Sequence, residues 1–330
     1  MERSYYLLNP GELRRRDNTL QIISFSGEKR DIPIETVYDV YCFTDINFNA
    51  DIMEFLGAKG ICLHFFNYYE YYSGSFYARE KLVSGELLVR QVCHYVDLEK
   101  RNCLAKKFVS GSAGNILRNL KYYSNRGKVF DSEIKFIESE LGKLDFCNQT
   151  NEIMGFEGNI RKKYYSAWTE IIDDKFSFVK RVKQPPDNEI NTLISFLNSV
   201  TYAKILSEIY KTQLNPTISY LHEPSTKRFS LALDVSEIFK PLIVDRLIFS
   251  AINKQIITED DFDQELGALT MRPATVKNLL KDFDLALSRT IFHRSLNREV
   301  SYRQLIRLEL YKLIKHFLGD KEYSPFKIWW

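Results

Sequence analysis

No stretch of this sequence approaches the roughly eighteen uncharged apolar residues that a bilayer-spanning helix needs. The opening MERSYYLLNPGELRRR has only Tyr5 to Leu8 as an apolar run before Pro10-Gly11 and three arginines, too short for the core of a signal peptide. Membrane insertion and export are therefore not expected, and a cytoplasmic location is. The cysteines are few and scattered: Cys42, Cys62, Cys93, Cys103 and Cys147, with no C-x-x-C pair. That excludes a zinc ribbon and a thioredoxin-like motif, and an odd number fits a reducing compartment. There is little excess charge of either sign, since 46 Lys+Arg against 43 Asp+Glu leave a formal +3, so any nucleic-acid surface has to come from segregated charge. Missing too are G-x-G-x-x-G, a Walker loop, H-E-x-x-H and G-x-S-x-G, which withdraws support from nucleotide hydrolysis and from serine or zinc protease chemistry. No internal repeat or low-complexity tract is visible.

What is present is a chain of 330 residues with 45% hydrophobic and 27% charged residues, the composition of an ordinary globular protein, and a length that favours two domains. The texture changes near Gly85. Before it lie short aromatic and β-branched runs, Tyr5 to Leu8, Thr19 to Phe25, Val37 to Thr44, Ile61 to Phe66 and Ser75 to Tyr77, separated by turn formers such as Asn9-Pro10-Gly11, Asp17-Asn18, Ser26-Gly27 and Ser73-Gly74. One helix interrupts them at Ala50 to Gly57, where Ile52, Phe55 and Leu56 share a face. After Gly85, apolar residues recur at three and four: Leu87-Leu88-Val92-Tyr95, Ile134-Ile137-Leu141-Leu144, Leu193 to Ile209, and Leu305-Leu308-Tyr311-Leu313. The expected fold class is α+β: a small, mainly β N-terminal domain over residues 1–85, followed by a larger all-α domain over 86–330. Val182 to Asn188, with its double proline, and Leu221 to Arg228 read as loops.

Charge is unevenly dealt. Between Arg101 and Phe130 there are seven cations, among them Lys106, Lys107, Arg118 and Arg126, and no acid. Such a run suits phosphate tracking, and Ser110-Gly111-Ser112-Ala113-Gly114 would let a nucleic acid approach closely. Arg161-Lys162-Lys163-Tyr164-Tyr165 adds a second basic, aromatic run. The alternative is a pair of ordinary solvated helix faces.

Acids and histidines in apolar or glycine-bounded settings are candidates for chemistry, because an isolated charge there is costly unless a metal or a partner offsets it. Glu157 sits between glycines in Met154-Gly155-Phe156-Glu157-Gly158, although it reads equally as a solvent-facing glutamate. His222 follows Ile218 to Leu221 at the mouth of a polar loop. Asp234 and Glu237 are three apart in Leu231 to Phe239, a spacing that also makes a capping box with Asp234 at the N-cap and Glu237 at N3. One imidazole with two or three carboxylates suits a divalent ion. Mg²⁺ prefers all-oxygen ligation, so the histidine leans toward Mn²⁺. An ion of this kind beside a basic groove implies phosphoryl transfer. His64, inside a strand-like run, reads as a core or sheet-edge histidine, His94 beside Cys93 has no ligand spacing, and His293 and His316, among the basic late helices, read as phosphate contacts or plain surface.

The chain also resembles a known family. The ordered set Tyr5 to Gly11 (YYLLNPG), Gly60 to Tyr72 (GICLHFFNYYEYY), Gly74 to Tyr77, Asn115 to Arg118, Gly155 to Gly158, Pro186 to Asn198, Tyr220-Leu221-His222, Leu231 to Pro241 and Val244-Asp245-Arg246 is similar to the CRISPR-associated spacer-acquisition integrase, the first-numbered and near-universal protein of CRISPR loci, particularly its type I-B form. The resemblance implies a small β domain that builds a homodimer and a helical domain that carries the active site. It implies Glu157, His222 and Glu237 as ligands of Mg²⁺ or Mn²⁺, with Asp234 completing the catalytic set. It further implies joining of prespacer DNA 3′-hydroxyls into a CRISPR array by transesterification, together with the small second-numbered CRISPR-associated protein. DNA contacts are expected from Lys106, Lys107, Arg118, Arg126, Arg161 and Tyr165. A branched-DNA repair nuclease and a non-catalytic DNA-binding scaffold are the alternatives.

Overall fold

The computed structural model describes residues 2–78, 82–172, 175–176, 178–183, 185–224, 229–265 and 268–330. They form two compact units, one of Met1–Val83 with Val276–Asp284 and one of Ser84–Thr275 with Leu285–Trp330.

The first unit holds β1 (Arg3–Leu7), β2 (Gly11–Arg16), β3 (Thr19–Ser24), β4 (Lys29–Pro33), β5 (Val37–Cys42), β6 (Ile46–Phe48), α1 (Ala50–Lys59), β7 (Leu63–Phe66) and β8 (Tyr72–Phe76). Two four-stranded sheets result, ordered β1-β5-β7-β8 and β4-β3-β2-β6. Asp17 takes the left-handed conformation (φ 51°) that the tight β2–β3 turn requires, as asparagine and aspartate tolerate better than most residues. Asn49 caps α1 by accepting from the Ile52 amide, and Gly60 ends it at φ 72°. Leu13, Leu20, Val40, Ile52, Leu56 and Leu63 are fully buried in a shared core. The returning stretch Val276–Asp284 belongs here, and the Tyr6 hydroxyl donates to Asp284 at 2.8 Å. That return departs from the expected division at residue 85, which gave everything after it to the second domain.

The second unit contains α2 (Gly85–Val96), α3 (Leu98–Ser124), α4 (Asp131–Leu144), α5 (Thr150–Ser166), α6 (Trp168–Ile171), α7 (Glu189–Tyr210), α8 (Ser230–Lys240) and α9 (Arg246–Asn253). It continues through β9 (Phe262–Glu265), β10 (Ala268–Met271), α10 (Pro273–Ser288), whose middle is the returning stretch, β11 (Thr290–His293), β12 (Arg298–Ser301) and α11 (Tyr302–Leu318). The α+β class stands, but this unit is not all helix: β9–β10 and β11–β12 are antiparallel hairpins. α7 is apolar on nearly every side and correspondingly buried from Ile190 to Leu197 and from Val200 to Ile209, with α8, α9 and α11 packed against it. Side-chain caps start α2 (Ser84), α3 (Asp97), α7 (Asn188) and α11 (Ser301). Among the described residues no helix is long and apolar enough to cross a membrane.

The small-residue run 110–114 lies inside α3 rather than at a break. A Cβ on Gly111 would stand 2.7 Å from the Pro325 side chain, and one on Gly114 3.2 Å from Lys327. The glycines therefore admit the C-terminal segment, which Asn115 anchors by accepting from the Ile328 amide at 2.8 Å, and not a nucleic acid as the sequence suggested.

Candidate active site

Two helices bring the site together. α5 turns Ile153, Ile160 and Tyr164 into the core, which leaves Glu157 at 23% side-chain exposure with Arg161 one turn on. α8 buries Leu231, Ala232, Val235, Ile238 and Phe239, and the same helix carries Asp234, Glu237 and Lys240 at successive steps of three. Asn115 of α3 donates to the Ile238 carbonyl at 2.8 Å and Asn119 to the Pro241 carbonyl at 2.8 Å. Pro241 has no amide hydrogen to give the preceding turn, and the chain widens into a π-helical turn over Pro241–Asp245 before α9 resumes. Wide turns of this kind recur at functional sites.

Asp234 does not cap its own helix. It lies at the fifth residue of α8, fully buried, and its carboxylate gathers the incoming loop. One oxygen accepts from the amides of Tyr220 (2.7 Å) and Leu221 (3.1 Å), and the other from the His222 amide (2.9 Å) and ring Nδ1 (2.8 Å). A carboxylate can only accept, so Nδ1 carries the hydrogen and Nε2 keeps its lone pair in the neutral ring. Burial alone would lower the His222 pKa, but the hydrogen bond and charge of Asp234, with the charge of Glu237, hold it above the ordinary imidazole value. Arg101 braces the same loop: it is buried, donates to the Tyr220 carbonyl (3.2 Å) and to Glu223 (2.6 Å), and covers the Tyr95 ring.

Glu237 gives its two oxygens to two cations, Arg161 at 2.5 Å and Lys240. Burial pushes its pKa up, but Lys240, Arg161 and His222 together carry it well below the usual carboxylate range. Glu157 goes the other way. Burial and the Glu237 charge raise it, against the opposing charges of Arg161, Lys240 and His222. Arg161 is the hub, 3.6 Å from Glu157, 2.5 Å from Glu237 and 3.9 Å from Asp245. Asp245 is 2% exposed, and burial drives its carboxyl up to about 7 although Arg161 opposes the change.

Glu157, His222 and Glu237 thus lie within one electrostatic neighbourhood, and Asp234 supports His222. They do not converge further: among the described residues no three His, Cys, Asp or Glu side chains stand as a metal-binding group. The reason is local, since Glu237 is turned toward Arg161 and Lys240. The donor types nonetheless fit a divalent ion, with an imidazole oriented by a carboxylate and two acids that repel each other until a cation intervenes.

Of the expected DNA contacts, Arg161 faces inward, buried and ion-paired, and Tyr165 packs edge-on against Trp168 and Phe178. Lys106 donates to the Asp145 carbonyl (2.9 Å), Lys107 pairs with Glu322, and Arg118 reaches the Trp330 carbonyl (2.9 Å). The acids absent from residues 101–130 arrive from Glu138, Glu223 and Glu322, so the run is less of a free cationic stripe than its sequence implied. Arg118 and Arg126 are exposed. His64 is buried against Ser75 (2.7 Å), the core histidine expected. Lys240 and Asp245 went unrecognised as site residues, and Arg161 was expected only as a DNA contact. The i,i+4 pair Glu157/Arg161, the i,i+3 pair Glu237/Lys240 and an acid inside the apolar PLIVD were the available signals.

A family model described as CRISPR associated protein Cas1 matches residues 5–284. The chain belongs to the Cas1 family. It is 52% identical over 330 residues to the CRISPR-associated endonuclease Cas1 of Fusobacterium nucleatum, covering 100% of this chain and 98% of that one. With the CRISPR-associated endonuclease Cas1 of Clostridium perfringens it shares 46% over 333 residues and 100% of both chains. A solved Cas1 structure from Thermotoga maritima superposes with a TM-score of 0.89 at 39% identity, covering 98% of this chain and all of that one. The fold is shared more widely than the Cas1 name. A casposase bound to its integration product gives a TM-score of 0.86 at 21% identity over 98% of this chain and 93% of that one. A Cas6-RT-Cas1–Cas2 complex gives 0.84 at 15%, over 99% of this chain and 36% of that one.

Proposed function

We propose that this Cas1-family chain is a metal-dependent DNA integrase and endonuclease of CRISPR adaptation, which joins a prespacer 3′-hydroxyl to the array. The observation that carries the reading is the double engagement of Asp234 with the His222 amide and ring, because it fixes a lone-pair nitrogen on an imidazole whose charge is felt by Glu157 and Glu237. Glu157, His222 Nε2 and Glu237 would hold Mg²⁺ or Mn²⁺, and the ion supplies charge stabilisation at the phosphoryl oxygens. The chain itself does the positioning. Asp234 fixes the imidazole tautomer, and Glu157 keeps 23% of its side chain exposed on α5, one turn before Arg161. In the reaction, the 3′-hydroxyl oxygen forms a new bond to phosphorus as the bond to the array strand's leaving oxygen breaks. Water in place of the hydroxyl gives cutting instead.

Exposed Arg118 and Arg126, with Lys106, would follow the DNA backbone without reading sequence, and Lys107 would join them only by leaving its pair with Glu322. The Cas2-containing complex that shares this fold supports partnership with the small second-numbered protein Cas2. A homodimer built through the N-terminal β unit and a cytoplasmic setting complete the reading. The test is Glu157→Ala and, separately, His222→Ala, assayed for Mn²⁺- or Mg²⁺-dependent strand transfer into supercoiled plasmid. Loss of joining with DNA binding retained is expected. Near-normal joining in both variants overturns the proposal, and cutting without joining of a 3′-hydroxyl donor would make nuclease the better name.

A further inference from the structure

A cation can take Glu237 only if Arg161 lets go of it, since the guanidinium Nη2 sits 2.5 Å from Glu237 Oε2. A guanidinium cannot shed its charge, so on release it must find another acceptor or stay buried and uncompensated, which is strongly unfavourable. Ser112 Oγ, 3.3 Å from the same nitrogen, carries no charge to offer. On the opposite side of the guanidinium, Nη1 is buried without a hydrogen-bond partner among the described residues, and so is Oδ2 of Asp245, 3.9 Å from it. These two atoms thus face one another just beyond hydrogen-bond distance, while the rest of the guanidinium bonds Glu237 and Ser112 and the Asp245 carboxyl has a hydrogen bond with Tyr164. Asp245 is placed there by the wide turn Pro241–Asp245, which follows directly from the helix that carries Glu237.

We propose that Asp245 is a positioning residue that receives Arg161 when Glu237 takes up a divalent cation. The inference rests on the metal-dependent reading above. Arg161 then works as an internal counter-ion: it neutralises Glu237 and steadies Glu157 until the ion arrives, and moves to Asp245 afterwards. Asp245 touches neither the ion nor the DNA in this scheme.

The two members of the pair have opposite effects on cation binding, which a merely structural role would not produce. The experiment titrates the full-length chain with Mn²⁺ alone, without DNA, and follows free Mn²⁺ by electron paramagnetic resonance at pH 8. Asp245→Asn leaves Arg161 nowhere to go, and the expected result is binding about tenfold weaker than wild type, within the 10–100-fold range for groups supporting a metal ligand. Arg161→Gln removes the competitor, and the expected result is tighter binding, again about tenfold. Arg161→Lys keeps the charge and should not tighten it. Circular dichroism and melting curves establish that each variant is folded, and Asp245→Ser repeats the first test should the asparagine variant fail to fold. Weaker binding in both Asp245→Asn and Arg161→Gln, or an Asp245→Asn affinity within twofold of wild type, overturns the hand-over while leaving the metal reading intact. Absence of Mn²⁺ binding in the wild type, unchanged by Glu237→Gln, overturns the metal reading and this inference with it.

Discussion

Replacing Asp234 by asparagine tests the site at its most constrained point. The carboxylate accepts four hydrogen bonds, two on each oxygen, and an amide of the same shape can accept on one side only. If its oxygen faces the Tyr220 and Leu221 amides, its NH₂ faces the His222 amide and ring. The amide of His222 then meets a donor, while the ring can answer by moving its hydrogen from Nδ1 to Nε2 and accepting at Nδ1. Two bonds to a charged acceptor are lost, at roughly 1.5–3 kcal/mol each, and the tautomer change recovers one, so the net cost is about 2–3 kcal/mol. In a unit of this size that lowers the melting temperature by roughly 4–12 °C without abolishing the fold. The functional loss is larger, because the hydrogen now on Nε2 blocks the lone pair that would ligate the ion. A wrong tautomer of this kind costs about 10⁴ in turnover in the serine-protease triad, and joining should fall here by at least roughly 10². Strand transfer into supercoiled plasmid, a Mn²⁺ titration and a melting curve are the three readouts. A folded Asp234→Asn protein that joins DNA within about threefold of wild type would refute the reasoning.

Four further outcomes follow from particular contacts. Burial lifts the Glu70 carboxyl to about 8 from an ordinary 4.5, so the folded state keeps a proton that the unfolded state sheds, and stability should fall as pH rises from about 4.5 to 8. Glu70→Gln should flatten that slope in melts taken across the range, with a gain on the order of 1–2 kcal/mol at pH 8 and none below pH 4; an unchanged slope contradicts it. Gly111→Ala should destabilise by about 1–3 kcal/mol in a denaturant titration, because its Cβ lies 2.7 Å from Pro325. Gly155→Ala meets nothing within 4 Å among the described residues and should raise the melting temperature through roughly 1 kcal/mol of helix propensity. Arg126→Ala should weaken DNA binding alike for unrelated sequences and lower the slope of log K against log salt by about one, as one lost phosphate contact predicts.

The strands and helices that the sequence revealed are those whose apolar pattern is strong. β3, β5, β7 and α1 fall where β-branched and aromatic runs or a three-four repeat predict them. Two of the strands that escaped notice are polar. β2 reads GELRRR and buries only Gly11 and Leu13, and β4 reads KRDIP and buries only Ile32, since each presents most of its side chains to solvent. Ser73-Gly74 read as a turn but lies within β8, where ladder pairing with β7 outweighs the local preference for a bend. The return of Val276–Asp284 to the first unit had no sequence signature at all. It is a long-range contact made through Asp284 and Tyr6, and a pattern read along the chain cannot register a partner some 278 residues away.

At the site, the same distinction separates the acids and the histidine from the residues that control them. Glu157, His222, Asp234 and Glu237 are conspicuous because charge in an apolar setting demands an explanation, but the sequence offered the wrong one for Asp234. Its D-x-x-E spacing with Glu237 fits a capping box, whereas the structure spends the carboxylate on a loop twelve to fourteen residues upstream. Arg161 shows the converse error. In a basic run it reads as a DNA contact, yet three carboxylates from α5, α8 and the π turn lie around it. A cation enclosed in this way is not free to follow DNA phosphates, because leaving would take from buried Glu237 one of its two cations, and breaking a buried ion pair costs several kcal/mol. The number of lysines and arginines in a stretch therefore overstates its capacity for DNA by however many are already committed to acids elsewhere in the chain. In α3 that commitment includes Arg101, Lys107 and Lys121, whereas exposed Arg118, and Arg126 just past the helix, make no ion pair to a carboxylate among the described residues.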